Sequence, residues 1–196
     1  MLKIAITGGI GMGKSAVEKW LTGHSLPVID TDNLARQVVE LGRIGLVQLV
    51  AHFGKQVLNH DGTLDRSNLA EIIFHNSSEK RVLESILHPL ILEECDQWIR
   101  KQELLGKNYC FVSIPLLFEI SIQKRFDRII CIATTPAIQR ERLLKRGMSE
   151  DQITLRIASQ LPISEKIKLS DYIIFNNGTL EDLEIQLVKL LENIKL

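Results

Sequence analysis

The chain has 196 residues, 45% of them hydrophobic, with 24 basic and 24 acidic side chains and a formal net charge of zero. That is enough apolar material for one domain with a large core, or for a core carrying an inserted lobe. The neutral balance lacks the basic footprint of a nucleic-acid binder, no segment has the apolar length of a membrane span, and the short first apolar run lacks the form of a secretory signal. Cys95, Cys110 and Cys131 are widely spaced, and His24, His52, His60, His75 and His88 show no metal-ligand spacing. The expectation is a reduced, cytoplasmic protein with no zinc site.

Residues 2–7 form an apolar run that reads as a buried strand. It leads into Gly8-Gly9-Ile10-Gly11-Met12-Gly13-Lys14-Ser15, a match to G-x-x-x-x-G-K-[ST], and then into helix-like Ala16 to Leu21. Strand, loop and helix in that order are the setting a phosphate-cradling loop needs. The glycines let the backbone wrap a phosphate with its N–H groups inward, and the helix N-terminus adds free donors and partial positive charge. Gly11, Met12, Gly13, Lys14, Ser15 and Ala16 are therefore candidate nucleotide-binding residues. Lys14 is placed to reach the β- and γ-phosphates of ATP, and the Ser15 hydroxyl to ligate Mg²⁺.

Residues 26–30 read as a second short strand, followed by helical spacing over residues 34–39. Between them lies Asp30-Thr31-Asp32, at the strand end where open α/β sheets bind ligands. A carboxylate there can orient an acceptor hydroxyl and take its proton. Asp32 equally fits an N-cap of the helix that carries Leu34 and Val38.

From about residue 43 to 107 the pattern is helical only. Leu46, Leu49, Val50 and Phe53 share one face, and Gly54 can close that helix. Asn59-His60-Asp61-Gly62 is turn chemistry. Further apolar faces follow at Leu69, Ile72 and Ile73, at Val82 and Ile86, and at Ile91, Leu92, Cys95, Trp98 and Ile99. His88-Pro89 is expected to break the chain, with Pro89 opening the next helix. Four helices without a strand, inside an alternating chain, suggest an inserted lobe.

Alternation then returns. Residues 109–114, 128–133 and 171–175 read as strands, the first two as continuous apolar runs typical of parallel strands buried on both faces. A helix near residues 137–146 carries Arg140, Arg142, Lys145 and Arg146; the next carries Arg156 and Gln160; Leu180, Leu183, Leu187, Leu190, Leu191 and Ile194 stripe a closing helix. Five strands alternating with helices predict an α/β, three-layer fold with a parallel sheet covered on both faces.

There is no N-K-x-D to read guanine and no L-S-G-G-Q signature, which leaves small-molecule kinases of this size. Phosphoryl transfer spreads negative charge and needs fixed positive groups. Arg142 and Arg146 lie four apart on one helix face, and Arg156 follows. A solvated basic face paired with Glu141 and Glu150 explains the same arginines. Phe118, in a loop after a strand, fits either the core or an acceptor contact.

Several segments together resemble the dephospho-coenzyme A kinase family. They are Thr7-Gly8-Gly9-Ile10-Gly11 with Gly13-Lys14-Ser15, Ile29-Asp30-Thr31-Asp32 with Ala35-Arg36, and His52-Phe53-Gly54 through Asp61 to Arg66. Leu87-His88-Pro89, Pro115-Leu116-Leu117-Phe118-Glu119, Arg142 and Arg146, Arg156 with Gln160, and Asn176-Asn177-Gly178 complete the set. The resemblance covers nearly the whole chain in order. It implies ATP-dependent phosphorylation of the ribose 3′-hydroxyl of dephospho-coenzyme A, with Mg²⁺. Under it Asp32, Lys14 and Arg142 are catalytic, Asp32 as general base. Arg142, Arg146 and Asn177 join the loop in binding ATP. Arg36, Arg66, His88, Pro115, Leu116, Phe118 and Arg156 bind the acceptor with Asp32. It also implies a core of about residues 1–42, 107–135 and 170–196, an acceptor-binding lobe of about 43–106 and a lid of about 136–162. The Asn176 to Gly178 triplet equally fits a turn after the last strand, and His88 an exposed turn before Pro89. A monomer is expected, with at most weak self-association.

Three positions depart from the family pattern. Ser113 stands where Asp is frequent, Ala16 where Thr is frequent, and Leu92 where Arg is frequent after the H-P. Ser113 bears on Mg²⁺, for which Ser15, water and ATP must then supply more of the shell, with Asp30 or Glu119 as further candidates. The alternatives are another nucleoside or nucleotide kinase and a nucleotide-switched binding module. The latter leaves Asp32 and the helical lobe without a role.

Overall fold

The computed structural model describes residues 1–74 and 76–194, so His75 lies outside the described residues. The elements in chain order are β1 (Leu2–Gly8), α1 (Lys14–Gly23), β2 (Val28–Asp30), α2 (Thr31–Gln37), α3 (Ile44–Phe53), a 3₁₀ turn (Lys55–Val57), α4 (Arg66–Phe74), α5 (Ser77–Leu104), β3 (Tyr109–Ser113), a second 3₁₀ turn (Gln123–Arg125), β4 (Arg128–Ala133), α6 (Pro136–Lys145), α7 (Glu150–Ala158), α8 (Ile163–Lys168), β5 (Tyr172–Phe175) and α9 (Leu180–Asn193). All strand pairs are parallel, in the order β2-β3-β1-β4-β5. The chain divides into two compact units. One is Met1–Asp30 with the chain from Lys101 onward; the other is Thr31–Arg100.

In the first unit the alternation of side chains across the strands sets the layers. Ile4 and Ile6 of β1, Phe111 of β3 and Ile130 and Ile132 of β4 face one way. They pack with Val17 and Leu21 of α1 and with Leu183, Leu187 and Leu190 of α9. The other face carries Ala5, Thr7 and Cys131, all buried, and is met by α8. Lys166 of α8 is fully buried. Its Nζ donates to Pro115 O at 2.7 Å and pairs with Glu119 Oε1 at 2.8 Å, while the Thr7 hydroxyl donates to the same Pro115 carbonyl at 3.4 Å. Burial pushes the Cys110 and Cys131 thiols up to about 11, so neither is a thiolate near neutrality. Helix ends are capped by local chemistry. Thr135 accepts from Ile138 N with Pro136 opening α6, and Ser149 with Gln152 and Thr179 with Asp182 form capping boxes for α7 and α9.

The second unit is helical and its core is apolar: Val38, Val39, Leu49, Phe53, Val57 and Leu69. It begins at Thr31 rather than near residue 43, because Val38 and Val39 bury themselves against Leu49 and Phe53. The expected break at His88-Pro89 is also corrected. α5 runs unbroken for 28 residues with Pro89 inside it. Pro89 forfeits a backbone donor and crowds the carbonyl four residues back. Leu83, Ile86 and Leu87 before it and Leu90 and Ile91 after it pack on the same core, and that shared burial holds the two halves in one helix. Among the described residues no helix is long and apolar enough to cross a membrane.

Candidate active site

The phosphate loop is shaped by what surrounds it. β1 ends at Gly8 with φ 149°, where a Cβ would collide with the Ile132 carbonyl of β4. Gly13 sits at φ 101° and precedes α1 without a side-chain cap; a Cβ there would collide with the Asn176 amide. Only glycine fits either place. The opening turn of α1 has no capping side chain, and its N-terminus offers partial positive charge to an anion.

Three side-chain amides from outside the loop hold its backbone. Gln160 Oε1 accepts from Ile10 N at 2.9 Å, Gln139 Nε2 donates to Ile10 O at 2.8 Å, and Asn176 Nδ2 donates to Met12 O at 3.1 Å. In a planar peptide the C=O and the next N–H point in opposite directions. Pinning the Ile10 and Met12 carbonyls toward the amides therefore turns the Gly11 and Gly13 N–H groups the other way. Gln139 and Asn176 are buried, so these contacts are fixed before any ligand arrives. Lys14 Nζ donates to Gly8 O at 3.0 Å and to Gly9 O at 3.4 Å.

Beside the loop lies a cavity of about 300 Å³ lined by Gly11, Gly13, Ser15, Ala16, Arg142, Arg146, Asn176 and residues 178–180. Arg142 Nη2 donates to Asn176 O at 3.0 Å. Its Nη1 is buried with no hydrogen-bond partner. A buried guanidinium donor with no protein acceptor is costly unless a ligand accepts from it, and a phosphate oxygen is the acceptor that suits it. Arg146, at the end of α6, is exposed and lines the same cavity. The acids that could have neutralised this face are used elsewhere: Glu150 pairs with Arg140, and Glu141 pairs with Lys145 at 2.5 Å.

The other sequence candidates fall as follows. Met12 is buried in the loop. Asn177 does not line the cavity; its Oδ1 accepts from Thr134 Oγ1 at 2.9 Å and Thr135 N at 3.0 Å, fastening the β5–α9 loop to the end of β4. Gln160 lies beyond the end of α7 rather than on it. Arg156 is exposed on α7. After β3, Phe118 is buried, Leu116 is exposed, and Glu119 is committed to Lys166 and to Leu161 N at 2.9 Å. In the helical unit Arg66 Nη2 donates to Arg36 O at 3.4 Å. Asp32 lies inside the first turn of α2, which starts at Thr31, so it does not precede the helix as an N-cap would. Arg36 follows one turn later on the same face. His88 is half-buried in mid-α5, not in an exposed turn. Sequence reasoning missed Gln139, and it singled out the Asn176 to Gly178 triplet without the bond from Asn176 to the Met12 carbonyl. An amide in a helix or after a strand carries no signal of which distant carbonyl it serves.

Known proteins give the same picture. The family model described as CoaE, dephospho-CoA kinase, matches residues 2–182. The chain is 40% identical to a dephospho-CoA kinase of Bacillus cereus over 97% of this chain and 96% of that one. It superposes on the crystal structure of TT1252 from Thermus thermophilus with a TM-score of 0.83 at 30% identity, covering 98% and 96% of the two chains. It also superposes on a dephospho-CoA kinase from Campylobacter jejuni with a TM-score of 0.74 at 27% identity, again covering 98% and 96%. With its phosphate loop, its sheet order and a match over nearly its whole length, the chain belongs to the dephospho-CoA kinase family.

Proposed function

We infer that the cavity at the head of α1 takes ATP, and that the γ-phosphoryl passes from there to dephospho-coenzyme A. The protein is a transferase. It phosphorylates the ribose 3′-hydroxyl of dephospho-coenzyme A to give coenzyme A and ADP, the last step of coenzyme A synthesis. The observation that carries the donor site is the buried, partnerless Nη1 of Arg142 in a cavity shared with the phosphate loop.

The roles follow from chemistry. Gly11, Met12, Gly13, Lys14, Ser15 and Ala16 form the cradle for the phosphates, with the Gly11 and Gly13 N–H groups turned away from the supporting amides. Lys14 and Arg142 hold charge that spreads over the moving group, and Arg146 adds to it. Asp32 orients the acceptor hydroxyl and takes its proton. Arg36, Arg66, His88, Pro115, Leu116, Phe118 and Arg156 grip the acceptor away from the reacting oxygen. Asn177 acts through the loop it fastens. The Ser15 hydroxyl, an oxygen donor lining the cavity, fits Mg²⁺, which when bound neutralises phosphate charge. Residues 136–162 serve as a lid that excludes water, and the helical unit as the acceptor lobe. The working species is a monomer with at most weak self-association. Three free, buried cysteines suit the reducing cytoplasm.

The test is ADP release with and without dephospho-coenzyme A. Dephospho-coenzyme A should stimulate release far more than AMP, dTMP or adenosine, because its remote groups supply binding energy that lowers the barrier. A stronger response to a simple nucleoside monophosphate overturns the reading.

A further inference from the structure

In phosphate-loop enzymes an acidic residue on a neighbouring strand accompanies the loop Ser or Thr in holding Mg²⁺. In this chain the end of β3, the strand beside β1, is Ser113. Its register partners are Ile6 on β1 and Asp30 on β2, so its side chain falls on the sheet face that α1 covers. Ser113 is fully buried, and its hydroxyl donates to Glu18 Oε1 at 2.5 Å. That length belongs to a hydrogen bond with an ionised acceptor. Glu18 lies three residues after Ser15 and four after Lys14 on α1, a spacing that puts all three on neighbouring positions of one helix surface. Glu119, the carboxylate that follows β3, has its charge paired with the buried Lys166 through Oε1, which also accepts from Leu161 N, while its Oε2 is buried with no hydrogen-bond partner.

We propose that Glu18 is the acidic partner of the Mg²⁺ that accompanies the donor nucleotide, with Ser113 as the residue that positions it. The negative charge has moved from strand to helix. A carboxylate at position 113 would stand against that of Glu18, and two carboxylates in contact resist joint ionisation. A neutral hydroxyl donor there removes the conflict and fixes the Glu18 carboxylate by its Oε1. The proposal rests on the cavity at the head of α1 being the nucleotide site.

Glu18→Gln tests it cleanly, since the glutamine oxygen still accepts from Ser113 while the charge is gone. Binding of Mn²⁺ to the protein–ADP complex, followed by the loss of the free-ion electron paramagnetic resonance signal, needs no turnover and no acceptor. Glu18→Gln should weaken Mn²⁺ binding by about tenfold or more, the size seen when a group supporting a metal site is lost. Affinity for metal-free ADP and the unfolding midpoint should not fall. Ser113→Ala should give a smaller loss in the same direction. Ser113→Asp in the Glu18→Gln background should regain most of the affinity, because the carboxylate returns to the strand. Wild-type Mn²⁺ binding by Glu18→Gln, with ADP binding intact, overturns the proposal. So does a loss caused by Asp30→Asn and not by Glu18→Gln. If the wild-type protein binds neither ADP nor Mn²⁺ with ADP, the cavity assignment itself falls and takes the proposal with it.

Discussion

The two units solve packing in opposite ways. Thr7, Ser113, Thr134, Gln139, Lys166 and Asn176 are the buried polar residues among those described, and all six belong to the unit with the sheet. The core of the helical unit is apolar, with Val38, Val39, Leu49, Phe53, Val57 and Leu69 at its centre. Its candidate acceptor groups, Asp32, Arg36 and Arg66, are exposed. Buried polar groups are tolerable only when satisfied, and once satisfied they specify one geometry. In the sheet unit Gln139 and Asn176 fix peptide orientations in the phosphate loop. The helical unit relies on burial, which is indifferent to direction. Satisfied polar groups thus fix the surroundings of the phosphate loop, while the candidate acceptor groups of the helical unit stand on its surface.

The largest effect expected is at Asp32, the proposed general base, which belongs to the helical unit. Asp32→Asn should lower kcat by roughly 10²–10⁴ with modest change in either KM. The low end is favoured because a loose transition state needs little early deprotonation. Asp32 sits in the first turn of α2, so the lost charge at the helix N-terminus costs only about 0.3–1 kcal/mol. A variant that keeps more than about half of wild-type kcat in a chemistry-limited assay removes Asp32 as the base.

The second effect tests the sheet unit's dependence on satisfied polar groups. Lys166→Met leaves Glu119 facing a buried site in which its Oε2 already has no hydrogen-bond partner. Breaking one side of such a pair costs about 3–5 kcal/mol. Lys166→Met with Glu119→Gln should recover much of that, since no unpaired charge remains. Urea unfolding of both variants decides it, and equal stability of Lys166→Met and wild type defeats the comparison.

How much of this could be read from the chain depends on the same contrast. The strand at residues 128–133 and the loop Gly8 to Ser15 were legible because backbone needs dictate residue type there. Apolar periodicity marked the closing helix for the same reason. Pro89 misled, because local chemistry favours a break while packing by Leu83, Leu87 and Leu90 on both sides keeps α5 whole. Periodicity marks Val38 and Val39 as buried but not against what, so it does not reveal that they pack with Leu49 and Phe53. In the candidate site the loop was legible and its supports were not. Gln139, Asn176 and Glu18 act across 129, 164 and 95 residues of chain, and nothing local records such pairings.

A third prediction concerns those supports. Gln139→Ala leaves the Ile10 carbonyl without its amide donor, which should destabilise the protein by about 1–3 kcal/mol. It should also raise KM for ATP while leaving KM for dephospho-coenzyme A in place, because the loop loses one of the contacts that orient its N–H groups. A stable variant with unchanged ATP kinetics shows that the loop holds its shape alone.

The smallest effect should appear in the helical unit, and its sign should be opposite. Pro89 is exposed in the middle of α5, where proline removes a hydrogen bond to the carbonyl of Ser85 and crowds it. Alanine restores the donor and relieves the crowding. It also frees the unfolded chain, which takes back about 0.4–1 kcal/mol. The net expectation for Pro89→Ala is a gain of about 1–2 kcal/mol in urea unfolding, below the full helix-propensity difference of about 3 kcal/mol. The change should be felt in the groove of the same unit lined by Gln48, Ala51, His52, Ser85, Ile86, Pro89 and Leu90. If that notch is part of the surface that grips the acceptor, KM for dephospho-coenzyme A rises as stability rises, while KM for ATP stays fixed, since no residue of α5 lines the cavity beside the phosphate loop. A loss of stability would mean that the proline ring packs in a way alanine cannot replace. An unchanged acceptor KM alongside the gain would assign Pro89 to helix shape alone and move the acceptor surface to the face of α2 that carries Asp32 and Arg36.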